Sequence, residues 1–373
     1  MIAVIADDLT GAAELGGIGI RHGLVTEISM TVNTATDADL LVIAADTRSM
    51  GEAAAVEEMS VITRQLRPLR PEWIYKKVDS VLRGHIVAEI NAQLKVLGWS
   101  SALLAPANPA LGRTIRDGHY YVNETPVHET SFSADPEFAI RSSDVREMLR
   151  AVVAIRKEVE ELPGAGIVVG EVRDGEDLMR WAGRSGPGML TAGGSGFFSA
   201  LLSVRQVKGR RVVASPPLGR PVLVVSGTTF DHNRTAVRRL HQAGGPVSYM
   251  PVSGGPGVMD RWTAGVSGLL REHGRAVIAI DAAEGFDQPM SASLLRTVMA
   301  GEVGRIMREV AIGELIIEGG ATAYAILQQL GLRTFYPEEE LAPGVIRMSA
   351  PSAPGLYITV KPGSYQWPER IKI

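Results

Sequence analysis

The opening 23 residues constrain the fold more than any other stretch. Ile2-Ala3-Val4-Ile5-Ala6 is an apolar run too short to span a membrane and the right length for a buried strand. Asp7 and Asp8 follow at once, then Leu9-Thr10-Gly11 and an Ala-rich segment suited to a helix. A strand passing through an acidic turn into a helix begins a parallel α/β sheet, and such sheets bind ligands beyond the carboxyl ends of their strands. Adjacent carboxylates there repel each other, so a cation, a hydrogen-bond donor or a substrate proton has to compensate them. One of the two capping the following helix is the plain alternative. Both doing so is not, and at least one functional carboxylate is expected here. Gly17-Ile18-Gly19 is no dinucleotide fingerprint, because Asp-Asp-Leu-Thr fills the turn where the glycines would have to sit. These glycines instead predict close packing of the helix on the sheet.

The same alternation runs through the chain. In the first half, strands are predicted at 24–30, 39–45, from 73, 101–105, 166–170 and 188–191. Helices are predicted at 51–66, 85–97, 144–150, 175–182 and from 195 to 203, with a short hairpin or flap around Asn123-Glu124 and a polar loop at 128–143. Residues 204–220 turn basic and Pro-rich and read as a linker. The second half repeats the pattern. Strands are predicted at 222–225, 247–252, 276–280, 315–318 and 356–360, and helices at 231–243, 258–272, 291–311 and 323–330. The reading is an α/β protein of two domains, each a mostly parallel sheet sandwiched by helices.

Composition excludes several classes. A chain of 373 residues is comfortable for two domains. A net charge of −3 and 5% aromatic residues give neither the field nor the stacking platforms of a nucleic-acid binder. No cysteine is present, which removes disulfides and thiolate metal sites, and the seven histidines show no ligand spacing, so no dedicated metal site is expected. No apolar run reaches membrane length and no cleavage signal precedes the first strand, so a soluble cytoplasmic protein without membrane partners is expected.

Polar residues gather where strands end. Lys77, Asp79, Ser80, Arg83 and Gly84 follow the strand at 73; Arg83 is able to fork onto a carboxylate and Lys77 supplies a point charge. The alternative is a surface salt-bridge set of Lys76, Lys77, Asp79 and Arg83. Asn108, Arg113 and His119 are candidate contacts to a small acidic substrate, with a half-buried, hydrogen-bonded His119 equally open. In the second half three small-residue turns end strands: Ser226-Gly227-Thr228-Thr229, Gly319-Gly320-Ala321-Thr322 and Lys361-Pro362-Gly363-Ser364. Such turns offer amides, hydroxyls and a lysine to phosphate oxygens, although each alone is ordinary turn chemistry. There is no Walker A motif.

Together these pieces resemble the four-carbon acid sugar kinases, a family that includes tetronate and threonate kinases. The segments carrying the resemblance are Ala6 to Ala12, Lys77 to Gly84, Gly112 to His119, Ser226 to Thr229, Gly319 to Thr322, and Lys361 to Tyr365. The resemblance implies an acid-sugar domain over 1–205, a linker over 206–220 and an ATP-binding domain over 221–373, with the reaction in the cleft between domains. It implies ATP with Mg²⁺ and a small sugar acid as ligands. Asp8 would orient or deprotonate the accepting hydroxyl, with Asp7 in support. Arg83 and Lys77 would hold the substrate carboxylate or the moving phosphate, and Asp79, Ser80, Asn108, Arg113 and His119 would complete the substrate site. Ser226, Thr228, Gly319, Gly320, Ala321, Thr322, Lys361 and Gly363 would bind the nucleotide. Two departures stand out. Ala321 replaces the family's usual acidic residue, with Glu318 a nearby substitute, and Tyr365-Gln366 replaces Phe-Gly. They leave open a weakened or purely binding member of the fold, and an unrelated enzyme on the same architecture is the third reading. A homodimer is compatible with the apolar surplus on the 291–311 helix, which serves the core equally well.

Overall fold

The structure, a computed structural model, describes residues 1–135, 138–209, 216–227, 231–251, 256–280 and 291–371. The chain forms two compact units, Met1–Arg211 and Val212–Ile373.

The first unit contains β1 (Ile2–Ala6), α1 (Leu9–Arg21), β2 (Thr26–Ser29), β3 (Leu40–Ala44), α2 (Glu52–Leu66), β4 (Trp73–Lys77), α3 (Ile86–Leu97), β5 (Ser101–Ala105), β6 (Arg113–Arg116), β7 (His119–Val122), β8 (Thr125–Pro126), α4 (Val145–Leu149), β9 (Ala154–Arg156), β10 (Gly166–Gly170), α5 (Gly175–Gly183), β11 (Met189–Gly193) and α6 (Ser195–Val204). Its main sheet runs β2-β3-β1-β4-β11-β5-β10-β9. Every pair in it is parallel. β6, β7 and β8 form a separate antiparallel sheet, the predicted hairpin extended by a strand.

β1 is buried along its whole length, as expected of an all-apolar strand covered on both faces. Of the glycines of α1, Gly19 serves close packing on the sheet. A Cβ on Gly19 would lie 2.5 Å from Leu40 Cδ2 and 2.6 Å from Thr26 Oγ1. Strand register then builds the site. Ala6 pairs with Ala44 on one side and Lys77 on the other, so the turns after β1, β3 and β4 leave the sheet side by side. The chain order also reverses at β1, the point where open parallel sheets leave a crevice.

The second unit contains β12 (Val222–Ser226), α7 (Asp231–Gln242), β13 (Val247–Met250), α8 (Val258–His273), β14 (Arg275–Ile280), α9 (Ala292–Glu309), β15 (Glu314–Glu318), α10 (Gly320–Gln329), β16 (Thr334–Ala342), β17 (Val345–Ser349) and β18 (Tyr357–Lys361). The strand order is β13-β14-β12-β15-β18-β17-β16. The first five strands are parallel, and β17 pairs antiparallel with both β18 and β16. Val224, Val237, Val247, Val277, Ala279, Ile316 and Ile371 form a core cluster in this unit. α9 buries Met299, Ala300, Val303 and Ile306 and packs on α8 and α10, so these apolar residues serve the core. Register again aligns strand ends: Ser226 pairs with Glu318, and Glu318 with Lys361.

β9, β16 and β17 lie outside the elements the sequence pattern predicts. β16 carries Pro337 and the acidic run Glu338-Glu339-Glu340, which break the apolar alternation of a strand.

Candidate active site

In the first unit the turns after β1, β3 and β4 bring together Asp7, Asp8, Arg48, Lys77 and Asp79. Asp8 is the N-cap of α1 and accepts from the Gly11 amide at 2.8 Å and from the Thr10 hydroxyl. The capping alternative is therefore correct for Asp8. Asp7 takes another partner. Arg48 donates to it through Nε at 2.8 Å and Nη2 at 3.0 Å, a two-point fork. The same guanidinium donates to Asp8 at 3.1 Å and lies 3.6 Å from Asp79. Arg48 is the compensating cation that two adjacent carboxylates require. Burial works to raise the Asp8 carboxyl, but Arg48, Lys77 and the bonds from Thr10 and Gly11 outweigh it, and the group is held below the usual carboxylate value. Burial likewise works to lower Arg48, and Asp7, Asp8 and Asp79 together hold it well above its ordinary value.

A second ionic set begins at Asp79. Arg83 forks onto it with Nε at 2.9 Å and Nη2 at 2.8 Å, and reaches Asp135 through Nη1 at 2.7 Å. The predicted salt-bridge set exists, but it is not a surface feature: Asp79 is 5% and Lys77 4% exposed. Lys76 has left it for a buried pair with Glu89 at 2.6 Å. Lys77 Nζ donates to the Val78 carbonyl at 3.0 Å and lies 3.7 Å from Glu14. Arg83 thus departs from the free anion-binding fork expected of it, because two carboxylates occupy it. Ser80 accepts from Arg113 Nη1, and its carbonyl accepts from the Tyr120 hydroxyl. Asn108 is buried and donates to Ser195 Oγ at 3.0 Å. His119 is exposed on β7, not half-buried, with its ring at the Asp117 carbonyl, outside these ionic contacts.

In the second unit, Ser226 Oγ donates to Glu318 at 2.7 Å, and Lys361 Nζ donates to Glu318 at 2.7 Å and to the Pro362 carbonyl at 3.0 Å. Glu318 and Lys361 are both fully enclosed. Burial lowers the Lys361 ammonium and Glu318 only partly restores it. This corrects two expectations. In this geometry the Lys361 charge is spent internally and does not reach out to a phosphate, and Glu318 is no free substitute for the acid missing at Ala321. What stays open for an anion is backbone. Gly319, at φ +98°, enters α10 without a side-chain cap, ahead of half-buried Gly320 and Ala321. A Cβ on Gly227 would meet Thr322 Oγ1 at 2.3 Å, so only glycine fits where the two turns touch. Thr322 is buried, and the Gly363 carbonyl accepts from Asn233 at 2.7 Å. Thr228 lies outside the described residues.

Two family models match this chain. One, described as a sugar-binding N-terminal domain, covers residues 2–201; the other, a nucleotide-binding C-terminal domain, covers 266–365. The chain belongs to the four-carbon acid sugar kinases. It is 27% identical to a D-threonate kinase of Bordetella bronchiseptica, covering 98% of this chain and 94% of that one. To a 3-oxo-tetronate kinase of Pseudomonas fluorescens it is 24% identical, with 98% and 94% covered. A crystal structure from Haemophilus influenzae superposes with a TM-score of 0.71 at 20% identity over 99% and 98% of the two chains, which shows the shared fold. A Bordetella bronchiseptica structure, 26% identical with a TM-score of 0.50 over 99% and 96%, is described as a domain-swapped dimer with bound citrate. As a family member the chain is a sugar acid kinase with a nucleotide-binding half.

Arg48, Thr10, Tyr120, Phe132 and Asp135 are the site residues that sequence reasoning missed. Two of them had a signal: Thr10 lies in the segment Ala6 to Ala12, and Arg48 in the polar turn Asp46-Thr47-Arg48-Ser49 after a predicted strand. Among the described residues, no group of three or more His, Cys, Asp or Glu side chains is placed to hold a metal ion, and no helix is long and apolar enough to cross a membrane.

Proposed function

We propose that this protein transfers the terminal phosphoryl group of ATP to the terminal hydroxyl of a four-carbon sugar acid of the threonate, erythronate or oxo-tetronate type. The observation carrying the reading is the cluster at the ends of β1, β3 and β4, where Asp7, Asp8 and Asp79 surround Arg48 in the sugar-binding half. The relatives' names and the citrate bound to the Bordetella protein support an acidic substrate.

Phosphoryl transfer through a loose transition state needs positioning and charge neutralisation more than a strong base. Asp8 suits that demand. It is ionised at neutral pH and its low proton affinity makes it a poor proton sink, so its part is to accept a hydrogen bond from the attacking hydroxyl and align it. Arg48 fixes the carboxylates and adds positive charge beside the attacking group. In the second unit, the turns at Gly227 and Gly319 fit the nucleotide phosphates through backbone amides and close approach. Mg²⁺ would arrive as part of the substrate, bound to the phosphates and completed by water.

The test is ADP formation from ATP·Mg²⁺ with purified protein against threonate, erythronate and their oxo forms. Turnover with one acid is expected. Asp8→Asn keeps a competent helix cap, because asparagine caps as well as aspartate, while removing the charged acceptor, and is expected to lower kcat by about 10²-fold or more. Full activity in that variant would remove Asp8 from the reaction. ATP binding without turnover on any acid would favour a binding protein instead, the reading that Ala321 leaves open.

A further inference from the structure

We infer that Arg113 is the residue that makes this site select an acid over a neutral sugar, by docking the substrate carboxylate; the inference rests on the kinase reading above. Four cations line the first-unit site, and three have carboxylates. Arg48 has Asp7, Asp8 and Asp79; Arg83 has Asp79 and Asp135; Lys77 has Glu14. Among the described residues no carboxylate lies within salt-bridge distance of Arg113, although its side chain belongs to a residue only 9% exposed.

Its hydrogen bonds define what is left to bind. Nη1 donates to Ser80 Oγ. Among the described residues Nε has no partner and no acceptor is seen for Nη2, so the side-on edge that forks onto a carboxylate is unused there. The guanidinium is also held in place. Its carbon lies 5.6 Å from the centre of the Phe132 ring, and Arg83 lies 5.6 Å from the same ring. Phe132 therefore carries two guanidinium groups, one paired with two carboxylates and one with none among the described residues. A buried charge without a partner is costly, and the cost is recovered when an anion arrives. Arg113 joins β6 to the rest of the site through Ser80, which follows Asp79, and Asp79 is tied through Arg48 to Asp8. A short acid with its carboxylate on Arg113 and its far hydroxyl towards Asp8 would follow that line of contacts. Arg83, by contrast, has its fork taken by Asp79 and Asp135, and His119 lies exposed on β7 outside these contacts.

The experiment is calorimetric binding of threonate and erythronate, and of their primary amides, to the wild type, Arg113→Met and Arg113→Lys, with circular dichroism to check folding. The amides keep the hydroxyls and lose only the negative charge. Arg113→Met is expected to weaken acid binding by about 10²-fold while changing amide binding by less than about threefold, because a charge-assisted fork is what has been lost. Arg113→Lys should restore part of the acid affinity, as a point charge without the fork. Equal losses for acid and amide, or unchanged acid binding in Arg113→Met, would overturn the inference. Acid binding by the wild type without ADP formation would overturn the kinase reading and leave the role of Arg113 standing.

Discussion

Asp79 accepts from the Arg83 side chain and from the amides of Val81 and Arg83, all within 3.1 Å. Burial alone would raise its carboxyl, but Arg83 and Arg48 outweigh burial and hold it far below the usual carboxylate range. A carboxylate with a depressed folded pKa stabilises the protein above its unfolded value, about 3.9, and that stability is lost as pH falls through the lower folded value. Asp79→Asn should therefore cost about 3 kcal/mol at pH 7, because Arg83 loses its fork and Arg48 a neighbour. The difference from wild type should shrink as pH drops below about 4. Denaturant midpoints of both proteins across that range decide it, and a constant gap would mean that Asp79 contributes shape and not charge. The need for such compensation was legible in the sequence from Asp7 and Asp8 standing together. The identity of the partner was not. Arg48 lies 40 residues from Asp8, and only the register placing Ala6 beside Ala44 makes them neighbours. Likewise the sequence shows that Arg83 is basic, while the loop bringing Asp135 to it is a tertiary fact.

Among the elements, α1 combines the two demands of the site, because it is capped by Asp8 and packed on the sheet through Gly19. Adding a methyl group to a helical glycine gains up to about 1 kcal/mol in backbone entropy. At Gly19 that gain meets Leu40 and Thr26, both fully buried with little room to yield. Overpacking of this kind costs about 1–3 kcal/mol, so Gly19→Ala is expected to be destabilising overall. Gly265, exposed on α8 with nothing within 4 Å of an added Cβ, is the matched control, and Gly265→Ala should stabilise by about 0.5–1 kcal/mol. Thermal unfolding of the pair reads the contrast; a gain at both positions would show that α1 has slack against the sheet. Helices such as α1 and the apolar parallel strands were legible because their periodicity is set by burial. β16 was not, since its pairing with β17 holds a strand whose own residues, Pro337 and three glutamates, argue against one. Buried contacts anchor this region from β17: Arg347 pairs with Glu314 at 2.9 Å and also donates to the Pro216 and Pro217 carbonyls.

On the scale of the whole molecule, the chain spends its polar groups differently in its two units. The first gathers a buried ionic set at its strand ends, in which one cation, Arg113, has no carboxylate among the described residues. The second encloses its lysine and glutamate completely and offers backbone at Gly319 and Gly227. Side-chain recognition suits a small acid with distinct hydroxyls, and backbone recognition suits phosphates, which every nucleotide carries. This division predicts where each ligand leaves its mark. A ligand that binds only the folded state suppresses local opening at its own site. In hydrogen exchange, a four-carbon acid alone should protect the amides around Asp8 to Gly11 and Val78 to Gly84. ATP·Mg²⁺ alone should protect those from Gly319 to Thr322 and leave the first set unchanged. If ATP instead protected the turn after β1, the phosphate site would belong to the first unit, and the uncapped start of α10 would be an ordinary turn. If the acid protected neither turn after β1 nor after β4, the ionic set would be scaffolding, and the substrate would have to be sought on other residues.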